Sequence, residues 1–220
     1  MNIALIVFAG TGSRMSLSIP KQFVKINDKE LVCYTIEKFE NHPLIDEIVL
    51  VTHKDYLTYV KELVKKHNYH KVKHIVSGGE SRQESVRLGL NAYPYNDDDK
   101  VLIHDGDRPL VNEAIISDNL KELNSFDVVC TTIKHKDSLK EVSNLGRTKL
   151  IEGEDNDVQT PQSFKYGIIS KYHELKKGQS FSDDIGLVEA DYQVKYVEGS
   201  PFNFKVTLDD DLKVLQSMIK

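Results

Sequence analysis

The sequence is poor in several features that would direct a protein to particular partners. Its 220 residues include no tryptophan and two cysteines, and the net charge is −5. Cys33 and Cys130 are far apart. They form neither a metal-ligand spacing nor a disulfide framework, which favours a reducing compartment. An acidic balance argues against a general nucleic-acid binder, since such proteins usually carry a basic surface. The longest apolar run, residues 3–9, is too short to span a bilayer. No Lys or Arg precedes it as in a signal peptide, so we expect a cytoplasmic protein.

The order of apolar patterns predicts a single α/β domain over residues 1–220. With 40% hydrophobic and 29% charged residues, the chain can bury a core. Short strands rich in Val and Ile are predicted at 2–8, 47–52, 71–76, 100–104, 127–133 and 193–197. Apolar residues at helical spacing predict helices at 31–40, 56–67, 81–91, 112–123, 165–176, 183–190 and 208–219. This alternation implies a mostly parallel, twisted sheet with helices on both faces.

Residues 134–157 interrupt the alternation. The segment is polar and contains a turn signal, Asn144-Leu145-Gly146, that two short strands could flank. A lone two-stranded hairpin is marginally stable in water, so such an arm needs a surface to rest on. A second subunit is the natural candidate, and an unpaired surface loop is the alternative.

Unusual residues follow three of the predicted strands. "AGTGSR" follows the first strand, "SGGESR" the third and "HDGDRP" the fourth. In open α/β sheets, ligands bind beyond the carboxyl ends of the strands. The recurrence at one edge of the sheet therefore predicts a ligand site there, with more weight than any single motif carries.

The first of these loops matches none of the standard glycine motifs. Met15 stands where the third Gly of Gly-x-Gly-x-x-Gly belongs, and the P-loop pattern also fails. Gly10 and Gly12 still allow close backbone approach and offer N–H donors to phosphate oxygens. Arg14 and Lys21 add two charges that could bracket a triphosphate. We favour this interpretation over a tight turn with two solvated cations.

The second loop combines a helix start with a glycine pair. Ser81 and Glu84 match a capping box. Gly78 and Gly79 suit a place where the backbone passes close to a flat ligand. Three side chains would then face that ligand: Glu80, Arg82 and Ser85.

The third loop is acidic. Asp105 follows a buried strand, and a carboxylate there can hold a divalent cation that bridges phosphates. Asp107 and Arg108 stand beside it. The alternative is a salt-bridged turn before the next helix, and we favour the metal site because the cationic first loop is expected next to it.

Taken together, these segments resemble the polyol-phosphate cytidylyltransferases. That family includes 2-C-methyl-D-erythritol 4-phosphate cytidylyltransferase and D-ribitol-5-phosphate cytidylyltransferase. The matching segments are "FAGTGSRM", "PKQF", "GGESRQESV", "HDGDRP", "QTPQSF", "SDD" and "NFKVT". They occur in order over nearly the whole chain, which makes a chance match improbable.

The resemblance implies a Rossmann-like fold with a protruding β-arm that pairs in a homodimer, and CTP and Mg²⁺ as substrate and cofactor. The implied catalytic residues are Arg14, Lys21 and Lys205, which would neutralise the phosphates. The implied nucleotide-binding residues are Ala9, Gly10, Thr11, Gly12, Gly79, Glu80, Arg82, Ser85 and Asp105. The implied acceptor-binding residues are Asp105, Asp107, Arg108, Ser138, Arg147 and Ser182, with Asp105 also holding Mg²⁺. The acceptor phosphate would attack the α-phosphorus in line, so the chain needs no covalent nucleophile.

The acceptor itself is predicted from two departures. The family's phosphate-gripping Arg, eight residues before the Thr of Thr-Pro-Gln, is replaced by Glu152, and Arg147 and Lys149 are the nearest cations. Asp107 adds a carboxylate that suits a substrate rich in hydroxyl donors. We therefore predict D-ribitol 5-phosphate, for teichoic-acid or capsule synthesis. The alternative is 2-C-methyl-D-erythritol 4-phosphate, for non-mevalonate isoprenoid synthesis.

Three other functions stay open at this point. A uridylyl- or guanylyltransferase would share the chemistry and differ in its base. A non-catalytic nucleotide-binding module would not need Arg14, Lys21, Asp105 and Lys205 together. A nicotinamide oxidoreductase is disfavoured by the missing third glycine.

Overall fold

The computed structural model describes residues 1–10, 19–135, 140–142, 148–150 and 156–219, with the backbone alone at 140–142 and 148–150. The strands are β1 Asn2–Phe8, β2 Lys25–Ile26, β3 Lys29–Glu30, β4 Glu47–Thr52, β5 Val72–Ser77, β6 Lys100–Asp105, β7 Val128–Lys134, β8 Lys140–Val142, β9 Thr148–Leu150, β10 Asn156–Lys165 and β11 Val194–Glu198. The α-helices are α1 Leu31–Glu40, α2 Leu57–His67, α3 Arg82–Leu90, α4 Glu113–Glu122, α5 Tyr166–Leu175 and α6 Asp209–Met218. Short 3₁₀ helices lie at Lys21–Phe23, Lys54–Tyr56 and Ile185–Leu187.

A central sheet organises the described residues. Its seven strands lie in the order β11-β7-β10-β6-β1-β4-β5. All neighbouring pairs are parallel except those of β10, which runs antiparallel to both β6 and β7. The predicted mostly parallel sheet is confirmed, and the carboxyl ends of β1, β4, β5 and β6 meet at one edge.

The central strand β1 shows why helices cover both faces. Successive side chains of a strand point to opposite faces, and here both sets are apolar and buried. Ala4, Ile6 and Phe8 pack in one cluster with residues of α1, α2 and α4. Ile3, Leu5 and Val7 pack in a second cluster with residues of α3 and α5. Burial on both faces is the expected environment of a parallel sheet.

Two sequence predictions of secondary structure are wrong. The helix predicted at 183–190 is only the 3₁₀ turn Ile185–Leu187. The Asp184 carboxylate is held in ion pairs, and the Gln162 side chain accepts the N–H groups of Asp184 and Ile185. These contacts hold the chain in a non-helical path at this point. The chain at 156–165, which the pattern did not assign to a strand, forms β10 in the interior of the sheet.

The interruption after β7 contains one of two small, two-stranded sheets in the described residues, the other being β2 with β3. β8 and β9 pair antiparallel, with Lys140 opposite Leu150 and Val142 opposite Thr148. The two strands predicted around residues 144–146 are therefore present. Within the described part of the chain, no helix has both the length and the apolar character needed to cross a bilayer.

Candidate active site

A cavity of about 480 Å³ opens at the carboxyl ends of β1, β4, β5 and β6. Ten of the predicted site residues line it: Ala9, Gly10, Lys21, Gly79, Glu80, Arg82, Ser85, Asp105, Asp107 and Lys205. They come from five separate segments of the described chain, and the described parts of the three loops predicted from the sequence meet in this one place.

The remaining predicted site residues are distributed differently. Arg108 does not line the cavity, but its side chain lies behind it against Asp105. Ser182 is exposed and outside the lining. Five others lie outside the described residues: Thr11, Gly12, Arg14, Ser138 and Arg147.

The floor of the cavity depends on close packing at Gly78. A Cβ atom at this position would clash with the Ala9 side chain and lie 2.7 Å from Ser85 Oγ. Ser85 Oγ accepts a hydrogen bond from Gly79 N at 3.1 Å. Ser81 caps α3 by accepting from Glu84 N, as predicted. The reciprocal half of the predicted capping box is not formed, because the Glu84 carboxylate accepts from Arg87 instead.

Asp105 is the centre of the charge arrangement. Its Oδ1 accepts from Arg82 Nε at 2.9 Å, and its Oδ2 accepts from Lys205 Nζ at 3.0 Å and from Arg108 Nε at 3.5 Å. Burial by itself would raise the pKa of this carboxyl, but the three cations outweigh burial and hold the pKa well below its usual range. Asp105 is therefore ionised, and its charge fixes three basic side chains.

A chain of hydrogen bonds orients Asp105 from behind. The Asp105 N–H donates to Thr160 Oγ1 at 3.1 Å, and Thr160 Oγ1 lies 3.0 Å from His104 Nδ1. His104 Nε2 lies 3.1 Å from the Arg108 carbonyl, which can only accept. The imidazole therefore carries its proton on Nε2 and accepts from Thr160 at Nδ1. Burial lowers the pKa of His104 to about 4, so the ring is neutral at pH 7.

Arg82 connects Asp105 to a second buried acid. Its Nη1 donates to Asp184 Oδ2 at 2.7 Å, and Asp184 Oδ1 lies 3.2 Å from His173 Nε2. Burial alone would raise the pKa of Asp184, but Arg82 and His173 hold it below its usual value. The guanidinium is thus held between two carboxylates with one edge on the cavity.

Lys21 reaches the cavity from the start of the first 3₁₀ helix. Its Nζ lies 2.5 Å from Asp107 Oδ2 and donates to the Val206 carbonyl, also at 2.5 Å. The neighbouring Gln22 is buried and donates from Nε2 to the carbonyls of Phe8 and Gly10. Gln22 therefore ties this helix to the end of β1.

Sequence reasoning missed several residues that build the site. Gln22, Thr160 and Asp184 lie inside segments that carried the family resemblance, but their roles depend on partners far away in the sequence. His53 and Thr207 also line the cavity. No pattern in the sequence marks His53, which follows β4.

The donor set around the cavity suits a phosphate-rich ligand with a hard metal ion. Ionised carboxylate oxygens are the ligands that Mg²⁺ prefers, and Asp105 supplies such oxygens beside the basic side chains. Fixed positive charge around an open cavity is also what transfer of a phosphate-linked group requires of a protein. On this sheet, the arrangement defines a nucleotidyltransferase.

Similarity to known proteins specifies the family. The model of the family IspD, described as 2-C-methyl-D-erythritol 4-phosphate cytidylyltransferase, matches residues 2–220. Proteins with that name from Clostridium novyi (strain NT) and Clostridium acetobutylicum are 40% and 39% identical, over 100% of this chain and 96% and 98% of theirs. The crystal structure of 4-diphosphocytidyl-2C-methyl-D-erythritol synthase from Anaerococcus prevotii, 26% identical, has a TM-score of 0.85 over 99% of this chain and 95% of that one. The chain belongs to the IspD family and is a CTP-dependent cytidylyltransferase.

The acceptor predicted from the sequence is wrong. The family and the relatives at about 40% identity all carry the methylerythritol phosphate name, which overturns D-ribitol 5-phosphate and, with it, teichoic-acid or capsule synthesis. The structure pairs Asp107 Oδ2 with Lys21, a contact that the sequence argument for a polyol-rich substrate did not include. Asp107 Oδ1 is buried and has no hydrogen-bond partner among the described residues.

Proposed function

We propose that the protein transfers CMP from CTP to 2-C-methyl-D-erythritol 4-phosphate and releases pyrophosphate, as a step of non-mevalonate isoprenoid synthesis. The observation that carries this proposal is the convergence of Lys21, Arg82 and Lys205 on one cavity around Asp105. The names of the relatives supply the acceptor.

The reaction needs positioning and positive charge more than it needs a nucleophilic side chain. An oxygen of the acceptor phosphate attacks the α-phosphorus of CTP, and the bond from that phosphorus to the bridging oxygen of pyrophosphate breaks. A phosphate monoester is already a competent nucleophile at neutral pH, so no general base is needed. Lys21 and Lys205 would stabilise the charge that grows on the phosphoryl oxygens, and Arg14 would add to it from the loop.

We assign nucleotide selection to a second group of lining residues. Ala9, Gly10, Gly79, Glu80 and Ser85 line the cavity and would hold the cytosine. Arg82, Thr11 and Gly12 complete the proposed nucleotide site. Asp105 would hold Mg²⁺, which would supply positive charge to neutralise the phosphates when bound.

The acceptor site and the assembly are proposed together. Asp105 would contact the acceptor from this chain, Arg108 would support Asp105 from behind the cavity, and Ser182 would approach from the rim. We propose a homodimer that pairs through the arm at 134–157, so that Ser138 and Arg147 reach a neighbouring acceptor site. The β8–β9 pair supports this assembly, because it consists of three-residue strands outside the central sheet. The enzyme is placed in the cytoplasm, where CTP is available.

Pyrophosphate release is the direct test. Purified protein with Mg²⁺, CTP and 2-C-methyl-D-erythritol 4-phosphate should release pyrophosphate, and kcat/KM should exceed that for D-ribitol 5-phosphate. ATP and GTP should be poor donors, since a pocket sized for cytosine excludes a purine, and UTP should be poor because uracil lacks the 4-amino donor of cytosine. Equal rates with another nucleoside triphosphate would contradict the base assignment. No turnover with the methylerythritol acceptor would contradict the proposed reaction.

A further inference from the structure

Asp107 and Lys21 form a nearly buried ion pair at the edge of the cavity. The ammonium Nζ lies 2.5 Å from Asp107 Oδ2, and the two side chains are 11% and 12% exposed. Because so little of the pair faces water, its attraction is screened far less than that of a surface pair. The pair joins the helical turn after the first loop to the turn after β6.

A third segment, at Val206, is joined to the segments of Lys21 and Asp107 by backbone contacts. Lys21 Nζ also donates to the Val206 carbonyl, and Val206 N donates to the Asp107 carbonyl at 2.9 Å. The three residues thus form a closed ring of contacts, in which each residue touches the other two. A movement of any one of the three segments breaks at least two of these contacts.

The turn that carries Asp107 is itself held tightly. Thr35 Oγ1 donates to the Gly106 carbonyl at 2.8 Å, and Gly106 N donates to the Val7 carbonyl at 2.9 Å. A Cβ atom at Gly106 would lie 2.8 Å from Phe8 Cβ, so the turn sits directly on β1. The Asp107 carboxylate therefore projects from a fixed point.

The Lys21 ammonium has a hydrogen-bond donor left for a ligand. An ammonium group has three N–H donors. Asp107 Oδ2 and the Val206 carbonyl take two of them, which leaves the third for a ligand in the cavity that Lys21 lines. Lys205 Nζ lies 3.9 Å from Asp107 Oδ1, so the carboxylate also stands between the two lysines and reduces their mutual repulsion.

We propose that Asp107 is a positioning residue, which holds the Lys21 ammonium with its remaining donor directed at the phosphates of the nucleotide. This proposal rests on the proposed function. It predicts that removing the Asp107 charge lowers kcat without raising KM for CTP. A carboxylate beside the triphosphate weakens ground-state binding of CTP, while a fixed ammonium stabilises the transition state.

The first test is Asp107→Asn, which keeps the shape of the side chain and removes its charge. We expect kcat to fall about 10- to 100-fold, the loss that follows from misplacing one catalytic group. KM for CTP should stay constant or decrease, because a negative charge has been removed beside a polyanion. The matched control is Asp210→Asn, which removes a carboxylate on the exposed surface; both constants should stay at wild-type values. A proportionate rise of KM would overturn the proposal.

The second test is a double-mutant cycle. If Asp107 acts through Lys21, Asp107→Asn should have no further effect on kcat in a Lys21→Ala background. If the factors by which the two substitutions lower kcat multiply in the double variant, the proposal is overturned. A higher Mg²⁺ requirement as the main effect of Asp107→Asn would also overturn it, since Asp107 would then be a metal ligand.

The third test does not depend on turnover. The ¹⁵N resonance of the Lys21 ammonium, assigned by its disappearance in Lys21→Ala, should be sharp in the wild-type protein and broadened in Asp107→Asn. An unchanged resonance would overturn the positioning role. A wild-type enzyme inactive with the methylerythritol acceptor would instead contradict the proposed function, and the resonance would still show whether Asp107 holds Lys21.

Discussion

Arg82 Nη1 donates to Asp184 Oδ2 at 2.7 Å, although the two residues are 102 positions apart. The contact joins the start of α3 to the segment before the 3₁₀ turn at Ile185–Leu187. Asp184 is 1% exposed, so its charge has almost no access to water. The pair therefore stabilises the contact between these two segments and orients Arg82 toward Asp105.

Removing one partner of this buried pair should be costly. We expect Asp184→Ala to lower the free energy of unfolding by roughly 3–5 kcal/mol, because Arg82 and His173 lose their shared acceptor. Urea denaturation measures the change. The exposed Asp191→Ala should stay within about 0.5 kcal/mol of the wild type. Similar losses for both variants would contradict the structural role of Asp184.

Lys205 should matter for turnover rather than for stability. Its side chain is 33% exposed and donates to Asp105, which keeps Arg82 and Arg108 when Lys205 is removed. We expect Lys205→Ala to lower kcat by about 10²–10³-fold, the usual effect of losing one preorganised charge stabiliser. Steady-state pyrophosphate release gives the value, with the exposed Lys213→Ala as the control. Wild-type turnover in Lys205→Ala would leave this lysine without a catalytic role.

The neutral His104 makes stability depend on pH. The unfolded imidazole takes a proton near pH 6.5, whereas the folded one stays neutral until about pH 4. The unfolded state therefore binds more protons between these values, and the stabilisation present above pH 6.5 is lost as pH falls toward 4. The loss should be about 3 kcal/mol, measured by urea denaturation with EDTA present.

Two variants distinguish the contribution of His104 to the pH dependence of stability from that of the other titrating groups. His104→Gln should flatten the pH dependence between 6.5 and 4, whereas the exposed His70→Gln should not. The carboxylates with lowered pKa values, among them Asp105 and Asp184, contribute stability that is lost only at lower pH. A curve for His104→Gln as steep as that of the wild type would show that another group controls this window.

The arm prediction is tested by deletion. Removing residues 136–156 should convert a dimer to a monomer, as measured by multi-angle light scattering. The deletion joins His135 to Asp157, and Asp157 pairs with Ile133 of β7, so the central sheet can still form. A dimeric deletion variant would place the interface elsewhere, and a monomeric wild type would remove the proposed assembly.

Local pattern was sufficient for the elements whose apolar residues end at clear boundaries. β1, β4 and α1 begin and end at the predicted residues, because their apolar periodicity stops at clear boundaries. The edge of the sheet that holds the site followed from the placement of three unusual loops after strands. That reasoning needed no knowledge of contacts between distant residues.

β10 could not be predicted in this way. It contains Pro161 and the polar residues Gln162 and Ser163, which argue against an interior strand. These polar groups are buried only because distant partners satisfy them: Ser163 donates to Asn119, and Gln162 accepts from the backbone of Asp184 and Ile185. The ion pair of Asp107 with Lys21 could not be predicted for the same reason, since Lys21 lies 86 positions earlier in the sequence.

The position of β10 constrains how this enzyme can be re-engineered. The strand leaves the arm at Asn156 and carries Thr160, whose hydroxyl accepts from the Asp105 backbone. A slip of one residue turns every side chain of a strand to the opposite face. A chimera that carries a relative's arm must therefore keep the number of residues between the arm and Thr160 unchanged. The register of β10 against β7 already shifts between Val158 and Gln162, so an insertion inside this stretch would displace Thr160 from the Asp105 N–H and uncouple the acidic centre from its support.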